Sequence, residues 1–180
     1  MRTLLLAVAV AGLLIASPAH AEVQYPLVLT LDAQFTRGVT TITSKVAIRV
    51  ERPMLDSART RVTDALKFGG YANFVTTLRT VAPAGTVATP SAKVEIRYTR
   101  EEPNGTGSRL VLVADRPLIF LGDPSKAKAG FELTIVDLQI DDRGGITGTL
   151  AGAARVRPSG DGGVLLDTYA EEPVQLKGTR

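Results

Sequence analysis

The 180-residue chain has no cysteine, no tryptophan and one histidine, His20. Without cysteine there is no disulfide, no thiol nucleophile and no thiolate to hold a metal. His20 falls inside an N-terminal stretch that reads as a cleavable leader. The mature chain therefore also lacks imidazole, the commonest general base and transition-metal ligand. Aromatics make up only 5% of the residues. No basic block carries interleaved aromatics, which argues against nucleic acid as a partner. Beyond the leader the longest apolar runs are Leu110–Ala114 and Leu118–Leu121. Both are far too short to cross a bilayer as a helix. No dinucleotide fingerprint, phosphate loop, nucleophile elbow or calcium-loop consensus is present, and no cofactor is implied. Carboxylates, lysines, arginines and hydroxyls are left to carry any chemistry.

The leader is read from three features. Arg2 supplies the positive start, Leu4–Ala16 an apolar run, and Ala19-His20-Ala21 a small-x-small cleavage pattern after Ser17-Pro18. An apolar run of 13 residues spans roughly 20 Å as a helix, short of a hydrocarbon core near ~30 Å. Residues 1–21 are thus expected to be a signal peptide. Residues 22–180 are expected to form one β-rich domain, periplasmic or secreted, with no membrane span after cleavage. Removal of Arg2 leaves 20 basic against 18 acidic side chains, a charge of +2 spread along the chain.

Period-two alternation dominates the rest of the chain. Leu27, Leu29, Leu31, Ala33 and Phe35 share one face of a first strand, and Val46, Ile48 and Val50 one face of a second. Helical spacing then takes over at Leu55, Val62 and Leu66, between Pro53 and Gly69-Gly70. The pattern predicts a helix over Pro53–Phe68 with those three side chains inward. Residues 71–81 read as strand or helix, and residues 82–92 as a loop or flap. Val94, Ile96 and Tyr98 are expected on one face. Leu110–Ala114 is apolar on both faces, as a covered strand is, and Leu118–Leu121 is expected to be a further strand. Phe131, Leu133 and Ile135 share a parity that Val136, Leu138 and Ile140 do not, which predicts a bulge near Ile135–Val136. The small residues of Ile146–Val156 suggest tight curvature or a close approach of another backbone. Turn sequences recur, including Asp141-Asp142-Arg143-Gly144-Gly145 and Asp161-Gly162-Gly163. Asn104-Gly105-Thr106 matches a glycosylation acceptor and reads more simply as a turn. The fold class is mainly β: an antiparallel sandwich or barrel of eight or nine strands with one short helix.

Candidate site residues are few. Tyrosine precedes Glu-Glu-Pro twice, at Glu101-Glu102-Pro103 and Glu171-Glu172-Pro173. Paired carboxylates serve as acid and base at glycosidic bonds. Adjacent strand residues point oppositely, however, so neither pair alone makes a site. The simpler reading is two strand ends running into solvated loops. Asp137 interrupts an apolar run; aimed inward it would be a perturbed carboxylate, aimed outward it faces water. Asp141, Asp142 and Asp161 are oxygen donors of the kind calcium takes.

The segments Glu95–Gly122 and Gly162–Leu176, about a quarter of the chain, resemble a group of secreted bacterial proteins with no assigned function. That resemblance implies an exported single domain and implies no activity, cofactor or site residue. Three functions fit the sequence. The leading one is a non-catalytic envelope or secreted domain binding a small ligand or an envelope protein. The others are a hydrolase working with carboxylates and a small carrier of apolar ligands such as lipid.

Overall fold

The computed structural model describes residues 23–37, 39–120 and 128–180. Residues 1–22, which include the expected leader, residue 38 and residues 121–127 lie outside them. Among the described residues nine strands and one helix occur in the order β1 (Leu27–Arg37), β2 (Thr40–Val50), α1 (Asp56–Arg79), β3 (Gly85–Ala88), β4 (Lys93–Asn104), β5 (Gly107–Ala114), β6 (Leu133–Ile140), β7 (Gly145–Pro158), β8 (Val164–Tyr169) and β9 (Val174–Thr179). Strands β1 to β7 pair antiparallel in sequence order; β7 then pairs with β9 and β9 with β1. Eight strands therefore close into a barrel, and β8 is an extra strand on the end of β7. Of the two all-β alternatives, the barrel is the one adopted.

Closure sets a stagger. Following paired residues from Leu27 through Val50, Gly85, Ile96, Ala114 and Thr134 into β7 and β9 returns to β1 near Arg37, about ten residues further on. An eight-stranded barrel is just wide enough for its own side chains to fill. Leu29, Leu31, Ile48, Ile96, Leu110, Leu112 and Leu138 do so, each almost wholly buried. Val23 joins this interior cluster at one end. At the other end sits Leu118, buried inside the barrel, with its N–H donating to Gly152 O at 2.7 Å. Leu118–Phe120 is consequently not the strand its composition suggested, and Leu121 lies outside the described residues. A side chain at Gly152 would place Cβ 1.9 Å from Leu118 O. The small residues of β7 thus mark a close approach of another backbone.

A second apolar layer lies outside the barrel. Val62, Leu66, Phe74, Val75 and Leu78 of α1 pack with Tyr98, Val111, Val113, Leu133 and Ile135, which point outward from β4, β5 and β6. Val156 and Val164 of the β7–β8 overhang complete the layer. Strand β5 is apolar on both faces because both are covered. The same layer corrects the reading of β6. Its pairing with β5 is regular from Ala114–Thr134 to Ser108–Ile140, with no bulge at Ile135–Val136. Leu133 and Ile135 face α1 while Val136, Leu138 and Ile140 face the barrel interior, so two covered faces mimicked a change of phase. The irregular register lies between Leu133 and Ile135 against β7.

Three further expectations change. Arg97 is an extra residue between Ile96 and Tyr98, which sends Tyr98 to the outer face, away from Val94 and Ile96. Gly70, at φ 74° and ψ −174°, breaks α1 into two arms, and the second arm runs on to Arg79. The helix is thus longer than predicted, and the ambiguous residues 71–79 are helical. Val62 and Leu66 face inward as expected, but Leu55 is 75% exposed. Within the expected loop 82–92, Gly85–Ala88 forms β3 and completes the barrel. Among the described residues no helix is long and apolar enough to cross a membrane.

Candidate functional site

Strand geometry separates the two glutamates of the first Glu-Glu-Pro echo. Glu101 turns toward the barrel end, where Oε1 accepts the Val23 N–H at 2.8 Å and the Ser108 hydroxyl at 2.8 Å. Glu102 faces outward between Arg100 and Arg109, with Arg109 Nη1 at 3.4 Å. Burial and the neighbouring Asp161 raise the Glu102 pKa against the pull of Arg100. Asp137 also faces outward, half-buried on β6. Arg109 grips it with both Nε, at 2.9 Å, and Nη2, at 2.6 Å. That grip raises the Arg109 pKa. Asp137 is therefore neither an inward carboxylate nor a bare one.

The second echo lies elsewhere. Glu171, in the link between β8 and β9, accepts the Phe120 N–H at 3.2 Å, and Glu172 is exposed. The two echoes do not converge on one cleft. Asp141 belongs to the β6–β7 turn, where Oδ1 accepts the N–H groups of Arg143 at 2.9 Å and Gly145 at 2.7 Å. Asp142 beside it is exposed. Asp161 belongs to the β7–β8 turn. There it takes the Ser159 hydroxyl and the Gly163 N–H and sits 3.5 Å from Arg100. The Ser159 bond leads the contacts that hold its pKa down, at about 2. Asp141 and Asp161 thus sit in different turns, at either end of β7. Among the described residues no group of three or more His, Cys, Asp or Glu is placed to hold a metal ion. Asn104-Gly105-Thr106 is a tight turn with Gly105 at φ 60°.

A recess that the sequence did not point to lies where the chain leaves the barrel for α1 and returns from it. From Val50 the outgoing link passes Arg52, Pro53 and Met54; the returning link passes Thr80, Val81, Ala82 and Ala84. With Leu55, Ala58 and Arg61 they enclose about 320 Å³. Alkyl carbon from Pro53, Met54, Ala58, Val81, Ala82 and Ala84 lines it, Met54, Val81 and Ala84 being buried and Pro53 and Ala82 exposed. Part of the surrounding backbone is already bonded. Met54 N–H donates to Thr99 Oγ1 at 2.7 Å, and Met54 O accepts from Arg59. Val81 N–H donates to Leu78 O, and Val81 O accepts from Arg97. Ala84 N–H donates to Ile96 O at 2.7 Å, and Ala84 O accepts from Glu51 N–H at 2.8 Å.

Charge at the recess is one-sided. Glu51 is paired with Arg49, and Asp56 with Arg59. Arg52 and Arg61, both exposed and both lining the recess, have no ion pair or hydrogen bond among the described residues. The only sequence trace of this site is the lack of charge in Pro53-Met54-Leu55 and Val81-Ala82-Pro83-Ala84. That these links meet is a property of the closed barrel. A second groove, of about 470 Å³, crosses the uncovered barrel face and is lined by the polar side chains of Asp32, Gln34, Thr43, Thr147, Gln175 and Lys177. It has the composition of an ordinary wet sheet face.

No family model, curated protein or solved structure matches the chain.

Proposed function

We propose that the chain is an exported, non-catalytic envelope or secreted domain that binds its ligand on the outside of the barrel. Export rests on the leader pattern and on the resemblance to secreted bacterial proteins. The observation that carries the binding reading is the recess between the β2–α1 and α1–β3 links, with its largely alkyl lining and two guanidiniums that are unpaired among the described residues. An internal carrier has less support, because Leu29, Leu31, Ile48, Leu110, Leu112 and Leu118 occupy the space a ligand would need. Opening that space means unpacking a dense core. A carboxylate hydrolase also has less support: Glu101, Glu102, Asp137 and Glu171 each already accept hydrogen bonds or ion pairs, and Glu102 and Asp137, which share Arg109, are both held by that cation.

The test uses mature protein recovered from an exporting host, with intact mass and dye binding measured together. A mass beginning at Glu22 is expected. Saturable binding of an anilinonaphthalene sulfonate dye to the folded protein is expected, lost on Ala82→Trp, which fills the recess from an exposed position, with the melting temperature unchanged. Retention of residues 1–21 would overturn the export reading. Dye binding untouched by Ala82→Trp would overturn the recess as the site.

A further inference from the structure

We infer that the recess takes a single-chain amphiphile with an anionic head, a free alkanoate, its chain along the floor and its carboxylate between Arg52 and Arg61. The inference rests on the binding reading above and names its ligand class.

Charge decides the head. Each carboxylate beside the links, Glu51 and Asp56, is already taken by its own arginine. The two guanidiniums on the rim are left without a counter-ion among the described residues. Arginine's planar fork matches a carboxylate, and such charge-assisted bonds are stronger than neutral ones.

Backbone bookkeeping decides the tail. A peptide laid in the recess would bring main-chain N–H and C=O groups with it. The N–H groups of Met54, Val81 and Ala84 are already donating, and each of their C=O groups already accepts one bond. Polar groups buried without partners are costly. An alkyl chain brings no such groups and meets a lining that is mostly carbon. The volume, about 320 Å³, lies at the small end of ligand sites, which suits one short chain rather than a two-chain lipid.

The experiment is calorimetric titration of the mature protein with decanoate, decanol and decyltrimethylammonium, each below its micelle-forming concentration. Decanoate should bind about tenfold more tightly than decanol, and the cation most weakly. Added salt should narrow the gap. The double substitution Arg52→Gln/Arg61→Gln should bring decanoate down to decanol while leaving decanol unchanged. Arg52→Lys/Arg61→Lys should keep part of the preference. Both arginines are exposed, so the melting temperature should hold in both variants. Equal binding of decanoate and decanol would overturn the anionic-head inference and leave the recess reading standing. Binding of none of the three would overturn the recess reading itself. A decanoate preference that survives the double Gln substitution would place the head elsewhere and overturn the inference.

Discussion

Arg97 and Asp115 meet at 2.8 Å beneath the C-terminal end of α1. Arg97 is the bulge residue of β4; its Nε faces Asp115 as an ion pair without a hydrogen bond, and its Nη groups donate to Val81 O and to Glu95 at 2.7 Å. The bulge thus does two things at once. It aims Tyr98 outward under the helix, and it aims a cation at the carbonyls where α1 ends, which suits the negative end of a helix.

Removing this strut should loosen the helix layer. Arg97 is 18% exposed and Asp115 only 10%, so solvent screens the pair little. Arg97→Ala leaves a buried carboxylate and an orphaned carbonyl at Val81, and should cost about 3 kcal/mol in urea unfolding. Arg97→Lys should not restore it, because one ammonium cannot reach several acceptors in a plane. A loss under about 0.5 kcal/mol would show the strut to be idle.

The helix itself should respond on one face only. Leu66 is 4% exposed against the outer barrel layer. Leu66→Ala should cost about 2–5 kcal/mol. Leu55→Ala, 75% exposed at the head of α1, should stay within about 0.5 kcal/mol. Equal losses at both sites would mean that Leu55 is covered in solution.

These contrasts show what the chain spells out and what it does not. Alternation in β1 and β2 was legible because one face of each meets water, so inside and outside differ in chemistry at every step. Leu133–Ile140 misled because α1 covers one part of its outer face and not the rest. Leu118–Phe120 misled because an apolar plug and an apolar strand have the same composition. Tyr98 was misplaced because a bulge has no composition of its own. The candidate carboxylates were visible one by one. Their partners Arg100 and Arg109 could be assigned only once β4, β5 and β6 were in register. The recess was invisible, since its two walls are 26 or more residues apart, from Met54 to Thr80, and meet only because the barrel closes.

The plug at the end of the barrel gives a third expectation. Leu118 is fully buried, and Gly152 exists there because Leu118 O would sit 1.9 Å from a Cβ. Gly152→Ala must push the Leu118 segment out of the barrel end, at about 1–3 kcal/mol. Leu118→Ala should cost about 2–5 kcal/mol through the cavity it leaves. Because both act on one contact, the double variant should lose less than the two singles together, as a double-mutant cycle would show. Strict additivity would mean that the segment does not enter the barrel.

Tyr98, buried beneath α1, and Tyr71, half-buried on α1 itself, make the last comparison, since only one of the two phenols is satisfied. The Tyr71 hydroxyl donates to Glu132 at 2.7 Å, and Arg155 lies over its ring at 4.6 Å. The Tyr98 hydroxyl has no hydrogen-bond partner among the described residues. Burial pushes the Tyr98 pKa up to about 12 against the charge of Arg100. Burial, followed by the Glu132 bond, raises that of Tyr71 as well. An unfolded tyrosine ionises near pH ~10. As pH rises past that value the unfolded chain gives up its phenolic proton while folded Tyr98 keeps it. Stability is therefore fully present below about pH 10 and falls as pH climbs toward about 12. Tyr98→Phe should remove part of that alkaline fall. At neutral pH it should also raise stability by about 1 kcal/mol, because it deletes a hydroxyl that is buried and unpaired. Tyr71→Phe should do the reverse at neutral pH, costing about 1–3 kcal/mol by stranding Glu132. Urea unfolding of both variants at pH 7 and pH 10.5 reads all of this. A Tyr98→Phe variant less stable than the parent at pH 7 would mean that a partner, in solution, does satisfy the hydroxyl.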